Sequence, residues 1–132
     1  MSSSPSFSSA DHEYMALAIQ CAKRGVYTVT PNPAVGCVLV RDGKIVGQGW
    51  HQSAGQAHAE VNALKEAGSE AKGATAYVTL EPCHMCAKAI VDARIKFLIF
   101  ATKEFFFTRE PSFFLIVNLI LYYQILPPTL LV

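Results

Sequence analysis

No run of lysine and arginine interleaved with aromatics occurs in this chain of 132 residues, and its formal net charge is only +1. Such a stripe is the electrostatic footprint of most nucleic-acid binders, so no nucleic-acid partner is expected. The first ten residues carry neither a basic start nor an apolar run. They are not a signal peptide, and their serine-rich composition predicts a disordered leader over 1–10. A cytoplasmic location follows from that reading. Cysteine is scarce, with four residues in all, and does not suggest a secreted disulfide scaffold. Charge is missing from one end. Every Asp, Glu, Lys and Arg lies at or before Glu110, and the rest is rich in Phe, Leu, Ile and Tyr. That shift is the one candidate boundary. No internal repeat is present, and the length suits one domain with a core of its own.

What the chain does contain is ordered periodicity. Residues 11–24 predict an amphipathic helix, with Tyr14, Leu17, Ala18, Cys21 and Ala22 on one face. Asp11 or Ser9 can cap its start and Gly25 can end it. Cys21 reads as a small buried hydrophobe. The run Thr30-Pro31-Asn32-Pro33 is extended or turned, because each proline restricts its neighbour. Asn32 is then either an ordinary loop residue or a preorganised amide that offers both a donor and an acceptor. Residues 35–40 and 44–50 are β-rich runs joined by Arg41-Asp42-Gly43, a strong hairpin signal. Cys37 falls in the first run and reads as core. Gly47 and Gly49 alternate in the second, which predicts a bulge or a close backbone approach. His51, at that strand's end, reads on its own as a surface or loop histidine.

A second helix is predicted over 58–67, ended by Gly68. Its stripe of Ala57, Glu60, Val61 and Leu64 puts a carboxylate on an apolar face, where carboxylates are rare unless paired or functional. Residues 74–80 form an apolar, β-prone run suited to a central strand. A helix over 83–93 and a strand over 96–101 complete a βαβ unit, expected to be parallel. The architecture predicted is α/β, a mixed sheet with helices on both faces.

Two short pieces carry the chemistry: His58-Ala59-Glu60 and Pro82-Cys83-His84-Met85-Cys86. A catalytic zinc takes three protein ligands and keeps one position open. His58, Cys83 and Cys86 supply an imidazole and two thiolates. Both predicted helices begin at these residues, and helix N-termini favour thiolate. Glu60 can then take a proton from zinc-bound water and pass it to a leaving group. H-x-E together with P-C-x-x-C is the known signature of zinc deaminases. Two other readings stay open. One is a redox dithiol. The other is a closed structural zinc site with His84 or Cys37 as a fourth ligand. Otherwise His84 is a loop or supporting residue.

Over residues 11–101 the chain resembles the cytidine deaminase-like superfamily, and within it the deaminase domains of bifunctional riboflavin-biosynthesis proteins of the RibD type. The likeness rests on Thr30-Pro31-Asn32-Pro33, Val35-Gly36-Cys37-Val38, Gly47-Gln48-Gly49-Trp50-His51, His58-Ala59-Glu60 and Ala76-Tyr77-Val78-Thr79-Leu80-Glu81-Pro82-Cys83. The resemblance implies a three-layer α/β/α fold with a mixed, mostly parallel sheet. It implies hydrolysis of an amino group from diaminohydroxyphosphoribosylaminopyrimidine, a small pyrimidine nucleotide. His58, Cys83 and Cys86 would bind Zn2+, Glu60 would move the proton, and Asn32 and His51 would contact substrate. Such proteins commonly form homo-oligomers.

Two departures stand out. The family separates its two cysteines by a longer loop that holds substrate-gripping residues, whereas only His84-Met85 lies between them here. Nucleoside and tRNA deaminases share the short spacing, so those activities, or an inactive zinc-binding remnant, are the alternatives. The likeness also stops near Ala101, and no reductase follows. The deaminase domain is therefore expected over 11–104, with an apolar tail over 105–132. That tail is a packed terminal element, a membrane anchor or a non-native end, with the membrane disfavoured.

Overall fold

The computed structural model describes residues 7–101 and a short strand over 122–125. Helix α1 (Ser9–Lys23) opens it. Strands β1 (Gly36–Arg41) and β2 (Lys44–Trp50) follow, then helix α2 (Ala59–Ala67) and a 3-10 turn, Gly68–Ala71. Strand β3 (Thr75–Val78), helix α3 (His84–Asp92), strand β4 (Phe97–Phe100) and strand β5 (Tyr122–Ile125) complete the order.

The cap of α1 is neither Asp11 nor Ser9 but Ser8. Its hydroxyl accepts from the Asp11 amide while the Asp11 carboxylate accepts from the Ser8 amide. This reciprocal pair satisfies two end donors at once. The helix thus begins inside the stretch expected as a leader, and Phe7 packs against the core beneath it. Residues 1–6 of that leader lie outside the described residues. A second tie comes from the sheet: the Tyr77 hydroxyl donates to Asp11 Oδ1 at 2.6 Å.

The strands lie in the order β2-β1-β3-β4-β5. The expected βαβ unit is present, with β3 and β4 parallel. The other pairings, β1 with β2, β1 with β3 and β4 with β5, are antiparallel. The sheet is mixed as expected, but among the described residues its parallel character is confined to the pair joined by a crossover helix. The β1–β2 connection is too short to be anything but a hairpin. Its turn residues Asp42 and Gly43 both have positive φ, 52° and 75°. The register shifts between Leu39 and Val40, so β2 also carries a bulge.

Helix α1 covers one face, where Met15, Ala18 and Ile19 meet Val38, Val40, Tyr77 and Ile99. Helices α2 and α3 cover the other, where Ala59, Ala63 and Ile90 meet Cys37, Leu39, Ala76, Val78 and Leu98. Gly47 and Gly49 set the spacing on that side. A Cβ added at Gly49 would lie 2.5 Å from the Ala59 carbonyl oxygen, and one at Gly47 would lie 2.4 Å from that of Ala63. The helix backbone therefore rests directly on the strand backbone. The buried residues of α2 are Ala59, Glu60, Ala63 and Ala67. Val61 and Leu64, expected on that stripe, are only partly buried. Close contact turns the alanine ridge inward and leaves the larger side chains at its flanks.

β5 is the part of the apolar tail among the described residues, and there it is a terminal strand on β4. The rest of the tail lies outside them. Among the described residues no helix is long and apolar enough to cross a membrane.

Candidate metal centre and substrate cavity

His58 and Cys83 are the N-caps of α2 and α3, each with extended backbone, and neither caps its helix with its side chain. The side chains are thus free to turn toward each other. His58 Nδ1 lies 3.3 Å from Cys86 Sγ and 3.7 Å from Cys83 Sγ. All three donor atoms lie within 4.8 Å of one another. Tetrahedral zinc with bonds of about 2.0–2.3 Å sets its ligands about 3.6 Å apart, so the cluster fits that ion. Among the described residues, neither Cys37 nor His84 joins it. Cys37 is buried in the core and His84 is exposed on the first turn of α3. A closed four-ligand site therefore has no support in this arrangement.

The donor set has an electrostatic logic. Burial, and then the neighbouring His51, hold the His58 imidazole below its ordinary pKa, which favours the neutral ligand form. Burial, and then the Glu60 carboxylate, push the Cys86 thiol well up. A cation among the donors reverses that tendency, because thiolate is the ligand form.

Glu60 is only 3% exposed. Burial pushes its carboxyl up, and its own main-chain amide and the Cys86 side chain draw it partly back. It lines a cavity of about 330 Å³ together with Asn32, Pro33, Val35, His51, His58, Leu80, Glu81 and Cys83. The anomaly on the apolar stripe thus opens onto a cavity beside the three donors.

His51 is also 3% exposed; it stands in the loop just past β2, as its strand-end position suggests, but buried and not on the surface. The chain turns inward after β2, and the His51 ring packs edge-on to that of His58 at 5.1 Å. Its Nδ1 lies 3.1 Å from the Ala57 carbonyl oxygen and its Nε2 lies 3.2 Å from Asn32 Nδ2. All six candidate residues thus fall in one place.

Sequence reasoning missed Thr79 and Asn62. Buried Thr79 accepts from the Gly36 amide with its hydroxyl and donates its own amide to the Gly36 carbonyl, which pins the end of β3 just before Leu80 and Glu81. Asn62 bonds to main-chain carbonyls at 50 and 57. Neither leaves a periodic signal; a polar residue four places beyond His58 was the one hint.

The profile of the "Cytidine and deoxycytidylate deaminase zinc-binding region" matches residues 8–102. Escherichia coli "Riboflavin biosynthesis protein RibD" is 56% identical over 91 residues, which are 64% of this chain and 25% of that protein. A Buchnera aphidicola "Diaminohydroxyphosphoribosylamino-pyrimidine deaminase" is 50% identical over 100 residues, 71% of this chain and 68% of that protein. The solved structure of Acinetobacter baumannii RibD superposes with a TM-score of 0.69 at 52% identity, covering 70% of this chain and 28% of that one. The chain thus spans about a quarter of the RibD proteins it matches and about two thirds of the shorter deaminase. It belongs to the cytidine and deoxycytidylate deaminase zinc-binding family, alongside the riboflavin-biosynthesis deaminases.

Proposed function

We propose that the chain is a zinc-dependent aminohydrolase that deaminates diaminohydroxyphosphoribosylaminopyrimidine, with its catalytic unit over residues 11–104. The observation that carries this reading is Glu60, buried at the wall of a cavity whose other walls include His58 and Cys83. His58, Cys83 and Cys86 would hold the metal. Bound zinc supplies Lewis acidity that eases deprotonation of water at neutral pH. Glu60 takes a proton from the attacking water and returns it to the departing nitrogen. The water oxygen bonds to the carbon that bears the amino group, the carbon–nitrogen bond breaks, and ammonia leaves. The ring keeps the oxygen as a carbonyl. Asn32 and His51 hold the substrate against that wall. The site would act on a small molecule in the cytoplasm.

A second reading follows from the two-residue spacing of the cysteines. The short segment favours a nucleoside, free base or tRNA base over a phosphorylated pyrimidine. Ammonia release separates the two. Purified chain of known zinc content is supplied in turn with the riboflavin intermediate, cytidine, guanine and tRNA. Turnover of the first alone supports the main reading. Turnover of one of the others replaces it, and zinc with no turnover at all marks an inactive remnant.

A further inference from the structure

We infer that Thr28 is a positioning residue, whose hydroxyl holds the loop that carries Asn32 in place against His51. The consequence for turnover rests on the proposed deaminase reading; the geometry does not. The chain that leaves α1 turns at Gly25 and runs through Asn32 to β1. Its first part is stiff. The Gly25 carbonyl accepts from the amides of Thr28 at 3.0 Å and Val29 at 3.1 Å, and the Val29 carbonyl accepts from the Asn32 amide at 2.7 Å. Val26, Val29 and Ala34 are buried together as a small core of their own. Asn32 is therefore coupled to Thr28 through the main chain.

This loop packs on the segment that follows β2. Gly25 lies against it so closely that an added Cβ would come 2.2 Å from the His51 carbonyl oxygen. Two hydrogen bonds to main-chain carbonyls then join the segments. At one end the His51 amide donates to the Val35 carbonyl at 3.1 Å. At the other the Thr28 hydroxyl donates to the Gln52 carbonyl. The hydroxyl also lies 3.3 Å from the Gly25 carbonyl oxygen. Two amides already occupy the lone pairs of that oxygen, so the single hydroxyl proton goes to Gln52. Between these anchors in sequence stands Asn32, whose Nδ2 lies 3.2 Å from His51 Nε2, and both residues line the cavity. With both anchors made the loop cannot pivot, and the separation of Asn32 and His51 is set before a ligand arrives. With the Val35 anchor alone the loop can swing, and a ligand must order it at a loss of affinity.

The test uses the full zinc-loaded chain and two variants. Thr28→Val keeps the shape of the side chain and removes the hydroxyl; Thr28→Ser keeps the hydroxyl. Amide hydrogen exchange is followed residue by residue. In Thr28→Val the Asn32 and His51 amides are expected to exchange about fivefold faster, the effect of one lost hydrogen bond, while the amides of β3 keep the parent rate. KM for diaminohydroxyphosphoribosylaminopyrimidine rises about fivefold, kcat stays within about twofold, and zinc content is unchanged. Thr28→Ser restores both the exchange rates and KM. Unaltered exchange in the valine variant overturns the inference, and so does faster exchange with unaltered KM. Faster exchange in β3 or loss of zinc also overturns it and marks Thr28 as scaffold only. A serine variant that behaves like the valine one overturns it too. If the parent protein turns nothing over, the deaminase reading fails, and exchange in the two variants decides this one.

Discussion

His58 Nδ1 lies 3.3 Å from Cys86 Sγ, across the gap between the starts of two helices. The two residues are far apart in sequence, on a helix that precedes β3 in the chain and a helix that follows it. A metal that binds both is a cross-link as well as a reagent. Purified chain is expected to hold about one zinc ion. Cys83 is exposed, so its truncation opens no core cavity. In Cys83→Ala, zinc measured by elemental analysis should fall well below one ion per chain. The thermal midpoint should no longer respond to added zinc.

In the proposed mechanism Glu60 acts on protons and not on the metal. Glu60→Gln keeps the shape of the side chain and removes the base. Ammonia release is expected to fall at least about 100-fold while zinc content stays at the parent value. Loss of zinc in this variant would make Glu60 a ligand, contrary to the roles assigned above.

The close approach of α2 to β2 leaves no room for a methyl group at Gly49. Its nearest neighbours would be main-chain atoms of Ala59 and Ala63, which cannot rotate aside. Gly49→Ala is expected to cost about 1–3 kcal/mol, read from the urea midpoint. Activity should drop more than the population of folded protein does, because the displaced helix carries Glu60.

Tyr77 donates to Asp11 from a buried position. Burial, and then the Asp11 carboxylate, push the phenol well above its ordinary value near 10. The folded state thus keeps this proton at pH values where the unfolded chain gives it up. The stabilisation is complete below about pH 10 and fades as pH rises toward the folded value. Tyr77→Phe removes the bond at a cost of about 1.5–3 kcal/mol near neutral pH. Its stability should also fall less steeply than the parent's above about pH 10. Parallel curves for the two proteins would count against the coupling.

Much of this fold can be read from the chain because local chemistry and global structure agree. Asp42-Gly43 names its turn, residues 74–80 read as a central strand, and Glu60 betrays a site by sitting where a carboxylate does not belong. The donor set is legible for the same reason, since few structures call for that spacing of His, Cys and Glu. What escaped depends on main-chain partners. Ser8, Ser9 and Asp11 are all fair caps, and only the backbone geometry selects Ser8. The burial of His51 comes from the chain's turn after β2, and the clamp of Asn62 comes from two carbonyls that have no letter in a sequence. The pairings of β1 with β3 and of β4 with β5 depend on sheet order, which periodicity does not encode.

The contact of α2 with the two glycines of β2 has a consequence for how such a site can vary. The height of a helix over a sheet is normally set by the side chains between them, and it shifts when they change size. Here it is set by the radii of main-chain atoms, which are the same in every protein. The surrounding apolar residues can drift in size without raising or lowering the helix that bears Glu60. The carboxylate proposed to carry the proton is thereby insulated from wear in the core around it, and the two glycines hold that tolerance.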